Sequence, residues 1–171
     1  MPLLIGNLCS LLAMVTDAIS ASRKTAKSML LVQILSQIIY GTGAIALKGY
    51  SAAVQNAVAI LRNIAAIRKV QSKWVEWLLV ALAVVLGLLF NNLGTIGLLP
   101  VVANFIYSVA IFGFKDNERV IKGAFAVNMA LFTVFNALIL NFVGTATNAV
   151  LAVSTTAFVI RDIKQSRKAS Q

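Results

Sequence analysis

Seven apolar stretches follow one another along the 171-residue chain, separated by short polar segments. Each stretch is close to the roughly 20 residues that an α-helix needs to cross the hydrocarbon core of a bilayer. Strands are excluded because no stretch alternates with period two, and an open sheet in lipid would leave backbone groups unpaired. The pattern predicts an all-α membrane protein whose seven transmembrane helices span residues 2–20, 28–47, 50–68, 74–92, 95–114, 122–141 and 145–163.

The fourth stretch differs from the other six. Those six carry polar residues along one helix face, and such a face should meet protein or water because polar atoms are costly in lipid. In contrast, the fourteen residues from Trp77 to Phe90 are all apolar or glycine. The chain is therefore predicted to consist of a first triple-helix bundle (1–70), a linker helix (71–94), a second triple-helix bundle (95–163) and a polar cytoplasmic tail (164–171).

The two predicted bundles resemble each other in sequence. The two prolines of the chain, Pro2 and Pro100, each open the first helix of a bundle. In the third helices, the run 55–58 (QNAV) matches the run 147–150 (TNAV). We interpret this as an internal duplication. Three helices plus one linker give both units the same orientation, which is a parallel repeat about an axis along the membrane normal.

The positive charges fall in alternate gaps between the stretches. Cationic loops are retained on the cytoplasmic side, so this bias predicts an external N-terminus and a cytoplasmic C-terminus. A net charge of +10 is also compatible with nucleic-acid binding, but the cations lie in short segments beside apolar runs, which favours contact with anionic lipid. Thirteen of the fifteen cations are placed on the cytoplasmic side: Arg23, Lys24, Lys27, Arg68, Lys69, Lys73, Lys115, Arg119, Lys122, Arg161, Lys164, Arg167 and Lys168.

The residue types of the chain argue against catalysis and against a bound metal. There is no histidine, and Cys9 is the single cysteine. The commonest acid–base and metal-binding side chains are therefore missing, and neither paired buried carboxylates nor a glycine-rich phosphate loop is present. We predict a protein that is not an enzyme and that has no cofactor.

Amide side chains recur on the polar faces of six predicted helices. Single amides in membrane helices often hydrogen-bond between helices, worth about 0.6 to 2 kcal/mol each. A set of this size also suits a neutral polar solute, which needs both donors and acceptors. Asn56 and Asn148 occupy matching positions of the two bundles, so they are predicted to face each other across a central cavity. The further predicted substrate-binding residues are Gln33, Tyr40, Asn104, Asn128 and Asn136.

Two charged residues lie inside the predicted spans at a similar depth. Asp17 is on the first helix and Arg62 is on the third. An unpaired charge inside a membrane is expensive, so a structural ion pair between them is the favoured interpretation. A contact between Arg62 and an anionic group of a substrate remains the alternative.

Several short motifs resemble the YgjV-like family of bacterial inner-membrane proteins. They are Gly49-Tyr50-Ser51 followed by Asn56 and Arg62-Asn63, and then the run 98–101 (LLPV). The resemblance covers most of the chain. It implies a distant relation to the SWEET sugar facilitators and the PnuC-type vitamin transporters, which share a 3+1+3 helix plan, an external N-terminus and a central pocket. In the SWEET proteins, asparagines on the third and seventh helices line that pocket, and Asn56 and Asn148 would correspond to them.

The aromatic residues depart from those relatives. Their pockets stack sugar or nicotinamide rings on aromatic platforms, commonly tryptophan. Here Trp74 and Trp77 open the fourth span at the membrane interface instead. The resemblance therefore does not carry over a sugar or nicotinamide specificity.

The sequence leaves two functions open. One is a facilitator of a small polar solute that binds between the two bundles, which rock to expose it to each side in turn. The other is a non-transporting scaffold or partner subunit whose polar stripes only pack helices together. An amide-lined cavity between the bundles would favour the facilitator, and a dry packed seam would favour the scaffold. Membrane lipid and a second copy of the chain are the other expected partners, and nucleic acid is not expected.

Overall fold

In the computed structural model, the described residues are 1–21, 23, 26–70, 72–114 and 117–169, and they form seven α-helices. Two cations used to predict the orientation, Lys24 and Lys115, lie outside the described residues. The helices are α1 (Pro2–Ala21), α2 (Ala26–Ala46), α3 (Tyr50–Ile67), α4 (Lys73–Leu89), α5 (Thr95–Gly113), α6 (Glu118–Leu138) and α7 (Phe142–Ala169).

The helix bounds agree with the predicted spans to within two residues except in α4, α6 and α7. Helices α4 and α6 end at Leu89 and Leu138, each three residues before the predicted end of its span. Helix α6 begins at Glu118, four residues before the predicted start of its span, and α7 begins at Phe142, three residues early. Helix α7 also continues to Ala169, so residues 164–169, predicted as a polar tail, are helical. Ser170 and Gln171, the rest of that predicted tail, lie outside the described residues.

Three helices end in the same tight turn. Lys48, Lys69 and Leu140 follow α2, α3 and α6 with φ of 58°, 55° and 61°, a left-handed conformation that commonly closes a helix. After α2, the Gly49 N–H donates to the Ala44 carbonyl at 2.8 Å, which satisfies one of the last free carbonyls of the helix. These turns leave only three residues between α2 and α3 and between α6 and α7, so each pair forms an antiparallel hairpin.

Six of the helices form a closed ring. Helix α1 packs on α2, and α2 on α3, while α5 packs on α6, and α6 on α7. The ring closes along two seams, the α3–α5 seam and the α1–α7 seam. Helix α4 contacts α3 and α5 and no other described helix, so it lies outside the ring and covers the α3–α5 seam.

The small-residue face of α4 holds it against that seam. Val80, Ala83 and Gly87 are the buried residues of this helix. A methyl group placed on Gly87 would lie 2.6 Å from both Val101 of α5 and the Gln55 amide of α3, so only glycine permits this approach. From Trp77 to Leu89 the helix is otherwise apolar, and it exposes Leu78, Val85, Leu88 and Leu89, as expected for a helix next to lipid.

Polar residues face inward and apolar residues face outward, the reverse of a water-soluble protein. Within the described residues, four helices are long and apolar enough to cross a membrane, with candidate spans Pro2–Ser20, Lys27–Ala46, Arg119–Leu138 and Phe142–Gln165. Helix α5 contains a shorter apolar segment, Leu98–Gly113. The buried polar residues include Ser10, Ser36, Gln55, Asn128, Asn136 and Asn141.

Candidate functional site: an amide-lined cavity

A cavity of about 490 Å³ lies between the six ring helices. This volume is within the range of roughly 300–1,000 Å³ typical of small-molecule sites. Its lining comes from all six ring helices and from Asn141 in the turn between α6 and α7, and none of the described lining residues belongs to α4. All seven predicted substrate-binding residues line this one cavity: Gln33, Tyr40, Asn56, Asn104, Asn128, Asn136 and Asn148.

Three of the lining amides form a hydrogen-bonded chain that joins four helices. The Gln55 amide of α3 donates to the Ala83 carbonyl of α4 at 2.8 Å. Asn104 of α5 donates to the Gln55 oxygen at 3.1 Å, and Asn128 of α6 donates to the Asn104 oxygen at 3.2 Å. Asn104 and Asn128 are therefore used, at least in part, to hold the helices together, which is the packing role that polar residues have in membranes.

A second amide cluster joins α1, α6 and α7 around Asn141. The Asn141 amide donates to the Ser10 hydroxyl at 2.8 Å and to the Asn136 oxygen at 3.1 Å. Its own oxygen accepts from the Gly144 N–H at 3.0 Å, near the start of α7. Asn136 thus also has a partner within the protein, and Asn141 uses both its donor and its acceptor to fix the turn.

The remaining lining amides have no such partner. Asn56, Asn148 and Gln33, together with Gln37 and Asn63, form no hydrogen bond to protein atoms within the described part of the chain. Each carries two donors and an acceptor that only water or a solute can satisfy. The cavity therefore has a bonded set of amides that supports its walls and a free set that faces its interior.

The two charged residues both line the cavity, but the predicted ion pair between them does not form among the described residues. Asp17 accepts a hydrogen bond from the Ser36 hydroxyl of α2, and the Tyr40 hydroxyl lies beside the same carboxylate. Arg62 has no acidic partner among the described residues and shares the cavity wall with Tyr107 of α5. The reason is the order of helices around the ring: α2 lies between α1 and α3, which make no direct contact.

Aromatic side chains form part of the wall opposite α2. Tyr107 of α5 and Phe125 of α6 have ring centroids 5.5 Å apart at an interplanar angle of 58°. Phe132 and Phe135 follow on α6 with an edge-on contact at 6.4 Å. Such tilted pairs are favourable arrangements of aromatic rings, so this wall is both apolar and well fixed.

Some lining residues were not among the predicted site residues. Gln37, Gln55 and Asn63 lie on the predicted polar faces, and their helical spacing was the signal that could have included them. Asn141 falls in a turn, where helical periodicity gives no signal. The Phe residues of α6 have the same residue type as lipid-facing positions, so composition alone could not assign them to the cavity.

This fold and site define a multi-pass, all-α membrane protein with a polar cavity at its centre. A family model described as "Bacterial inner membrane protein", Imp-YgjV, matches residues 4–166. The chain belongs to this family, which confirms the predicted resemblance and the location in the bacterial inner membrane. Comparisons with curated proteins and with solved structures found no match.

Proposed function

We propose that this protein is a facilitator that carries a small polar solute across the inner membrane, and not an enzyme. One observation carries the proposal: five amide side chains face a cavity of about 490 Å³ without a protein partner in the described part of the chain. A membrane protein that only needed to pack its helices would gain nothing from unpaired polar atoms at this depth, since each is costly. A hydrated solute with donors and acceptors can satisfy them.

The proposed arrangement is two triple-helix bundles, α1–α3 and α5–α7, joined by α4 and related as parallel repeats. The helix contacts support it. Exchanging α1 with α5, α2 with α6 and α3 with α7 converts every contact within one bundle into a contact of the other, and converts the α3–α5 seam into the α1–α7 seam. In this plan Asn56 and Asn148 are equivalent, the N-terminus is outside, and rocking of the bundles exposes the cavity to each side in turn.

The scaffold alternative accounts for only part of the site. It fits the bonded amides Gln55, Asn104 and Asn128, which connect helices directly. It gives no role to Asn56, Asn148 and Gln33 on the open cavity surface. The facilitator accounts for both sets, because a carrier needs a firm wall as well as free hydrogen-bonding groups.

The test measures solute binding and flux with purified full-length protein. A thermal-shift screen of small polar solutes identifies binders, because specific binding raises the unfolding temperature. Each binder is then used in a counterflow assay in proteoliposomes. Asn56→Ala and Asn148→Ala are expected to weaken binding about tenfold each, from the loss of one or two hydrogen bonds in a desolvated site.

Gln165→Ala is the matched control, because Gln165 is an amide exposed at the far end of α7 and does not line the cavity. It should bind and transport like the unaltered protein. Binding that is unchanged in both asparagine variants, or protein-containing vesicles that show no more flux than empty ones for any binder, would contradict the proposal.

A further inference from the structure

The cavity contains one acidic and one basic side chain among its described lining residues. They are Asp17 of α1 and Arg62 of α3. All other described polar groups of the lining are neutral amides and hydroxyls, or weak acids such as the tyrosines. The cavity therefore carries one negative and one positive side chain, on two helices that do not contact each other.

Neither charge is neutralised by an opposite charge within the described structure. The Asp17 carboxylate is held by the hydroxyls of Ser36 and Tyr40, which donate hydrogen bonds but carry no positive charge. The Arg62 guanidinium has no acidic partner among the described residues, and Tyr107 of α5 lines the same cavity. A charge left uncompensated in a low-dielectric region costs several kcal/mol, so a ligand that supplies the missing partner gains a strong interaction.

The two charges lie at similar distances from the ends of their helices. Asp17 is four residues before the end of α1 at Ala21, which is about 6 Å along the axis. Arg62 is five residues before the end of α3 at Ile67, which is about 7.5 Å. Since α1 and α3 run in the same direction, one small molecule lying across the cavity can reach both.

We infer that the solute is a small zwitterion with an ammonium group that pairs with Asp17 and a carboxylate that pairs with Arg62. This inference rests on the proposed function and names the substrate class of the same cavity. The planar guanidinium can bind a carboxylate through two parallel hydrogen bonds. Tyr107 and Phe125 form an apolar surface in the same cavity for the side chain of the zwitterion, and the free amides take its remaining polar groups.

The first experiment changes the ligand and leaves the protein unaltered. The probes are L-phenylalanine, L-leucine and L-glutamine, each with its carboxamide, which lacks the carboxylate, and its N-acetyl derivative, which lacks the ammonium. Binding to full-length protein in detergent is measured by calorimetry. At least one amino acid is expected to bind about tenfold or more tightly than both of its derivatives, because each derivative loses a charged hydrogen bond.

The second experiment changes the protein. In Arg62→Gln, the preference for the amino acid over its carboxamide should disappear, while the preference over the N-acetyl derivative stays. In Asp17→Asn, the preference for the amino acid over its N-acetyl derivative should disappear, while the preference over the carboxamide stays. Arg62→Lys should restore part of the carboxylate preference, and Arg68→Gln, an exposed cation outside the cavity, should change neither preference. If a variant does not fold, the ligand series on the unaltered protein still decides the question.

The outcomes separate this inference from the function on which it rests. If neutral solutes bind and cross the membrane while no amino acid does, the inference of a zwitterionic substrate is contradicted, and the proposed facilitator function is kept. The same holds if Arg62→Gln and Asp17→Asn leave both preferences unchanged. If no solute of any class binds or crosses, both proposals fail.

Discussion

The two seams that close the ring are built differently. The α3–α5 seam is bridged by the hydrogen bond between Gln55 and Asn104 and is covered by α4, which also connects the two helices covalently. The α1–α7 seam has no helix across it among the described residues. Its hydrogen bonds begin near the start of α1, where Asn7 accepts from the Val143 N–H at 3.1 Å and Ser10 bonds to Asn141. They continue to Met14, whose sulfur accepts from the Thr147 hydroxyl at 3.2 Å.

This difference indicates which seam moves if the bundles rock. Opening the α3–α5 seam would strain α4 and separate amides along the cavity wall. Opening the α1–α7 seam requires the loss of a few hydrogen bonds, after which no described helix covers it. The α3–α5 seam is therefore expected to act as the hinge, and the α1–α7 seam as the part that opens. Each prediction below acts on one seam and leaves the other intact.

The largest effect is expected from locking the seam that opens. In a Cys9→Ser background, the pair Ser10→Cys and Asn141→Cys places thiols at two side chains that touch across the α1–α7 seam. A short bifunctional cross-linker should stop solute flux in proteoliposomes, and a cleavable version should restore it on reduction. The pair Lys48→Cys and Asn92→Cys, which bridges two turns beside the α3–α5 seam, is the matched control and should keep its flux after cross-linking. Equal flux in both cross-linked pairs would contradict the assignment of hinge and opening seam.

The next effect concerns the stability of the α1–α7 seam. Asn141→Ala removes one acceptor and two donated bonds at a site that is buried. The free energy of unfolding should fall by about 2–4 kcal/mol, because Ser10, Asn136 and the Gly144 N–H lose their partner. Thermal or denaturant unfolding in detergent measures the change.

Asn141→Asp tests the donor role of this amide. It keeps the acceptor for the Gly144 N–H but, when ionised, loses the donors to Ser10 and Asn136. Its unfolding free energy should fall at least as far as that of Asn141→Ala, because a carboxylate buried without a positive partner adds its own cost to the two lost bonds. Surface substitutions change the free energy of unfolding by up to about 0.5 kcal/mol. If Asn141→Ala changes it by no more than this, the Asn141 cluster does not stabilise the α1–α7 seam.

The fold followed closely from the sequence because membrane helices are specified by length and apolar content. The run from Trp77 to Phe90 has no polar side chain, which predicted that α4 lies away from the polar centre. The described lining of the cavity includes no residue of that helix. The pairing of the charges did not follow. Asp17 and Arg62 share a depth in the sequence pattern, but depth does not give the order of helices around the ring, and α2 lies between them.

The candidate site was predictable as a set but not in its parts. Asn56, Asn104 and Asn128 all lie on inward faces, so helical spacing identifies each as a cavity residue. Spacing cannot tell that Asn104 and Asn128 bond to neighbours while Asn56 stays free, because that depends on distances of a few tenths of an ångström between helices. Turn residues such as Asn141 carry no periodic signal at all.

The smallest effect concerns the packing of α4 on the hinge. In Gly87→Ala the added methyl group would lie 2.6 Å from the Gln55 amide nitrogen, which donates to Ala83 one turn earlier in α4. Either α4 moves outward or Gln55 leaves its partner, and overpacking of this kind costs about 1–3 kcal/mol. Gly123→Ala in α6 is the matched control, because a methyl group there meets nothing within 4 Å and the variant should be neutral or more stable by up to about 1 kcal/mol.

The consequence for the site makes this last comparison informative. If Gln55 is displaced, Asn104 loses its acceptor and the amide chain to Asn128 is broken, so solute affinity should fall along with stability. If α4 only shifts outward, stability falls and affinity stays. Unfolding and binding measured on the same Gly87→Ala sample distinguish the two. Equal stability of Gly87→Ala and Gly123→Ala would show that α4 does not pack tightly on the α3–α5 seam, and the proposed hinge would then have no support.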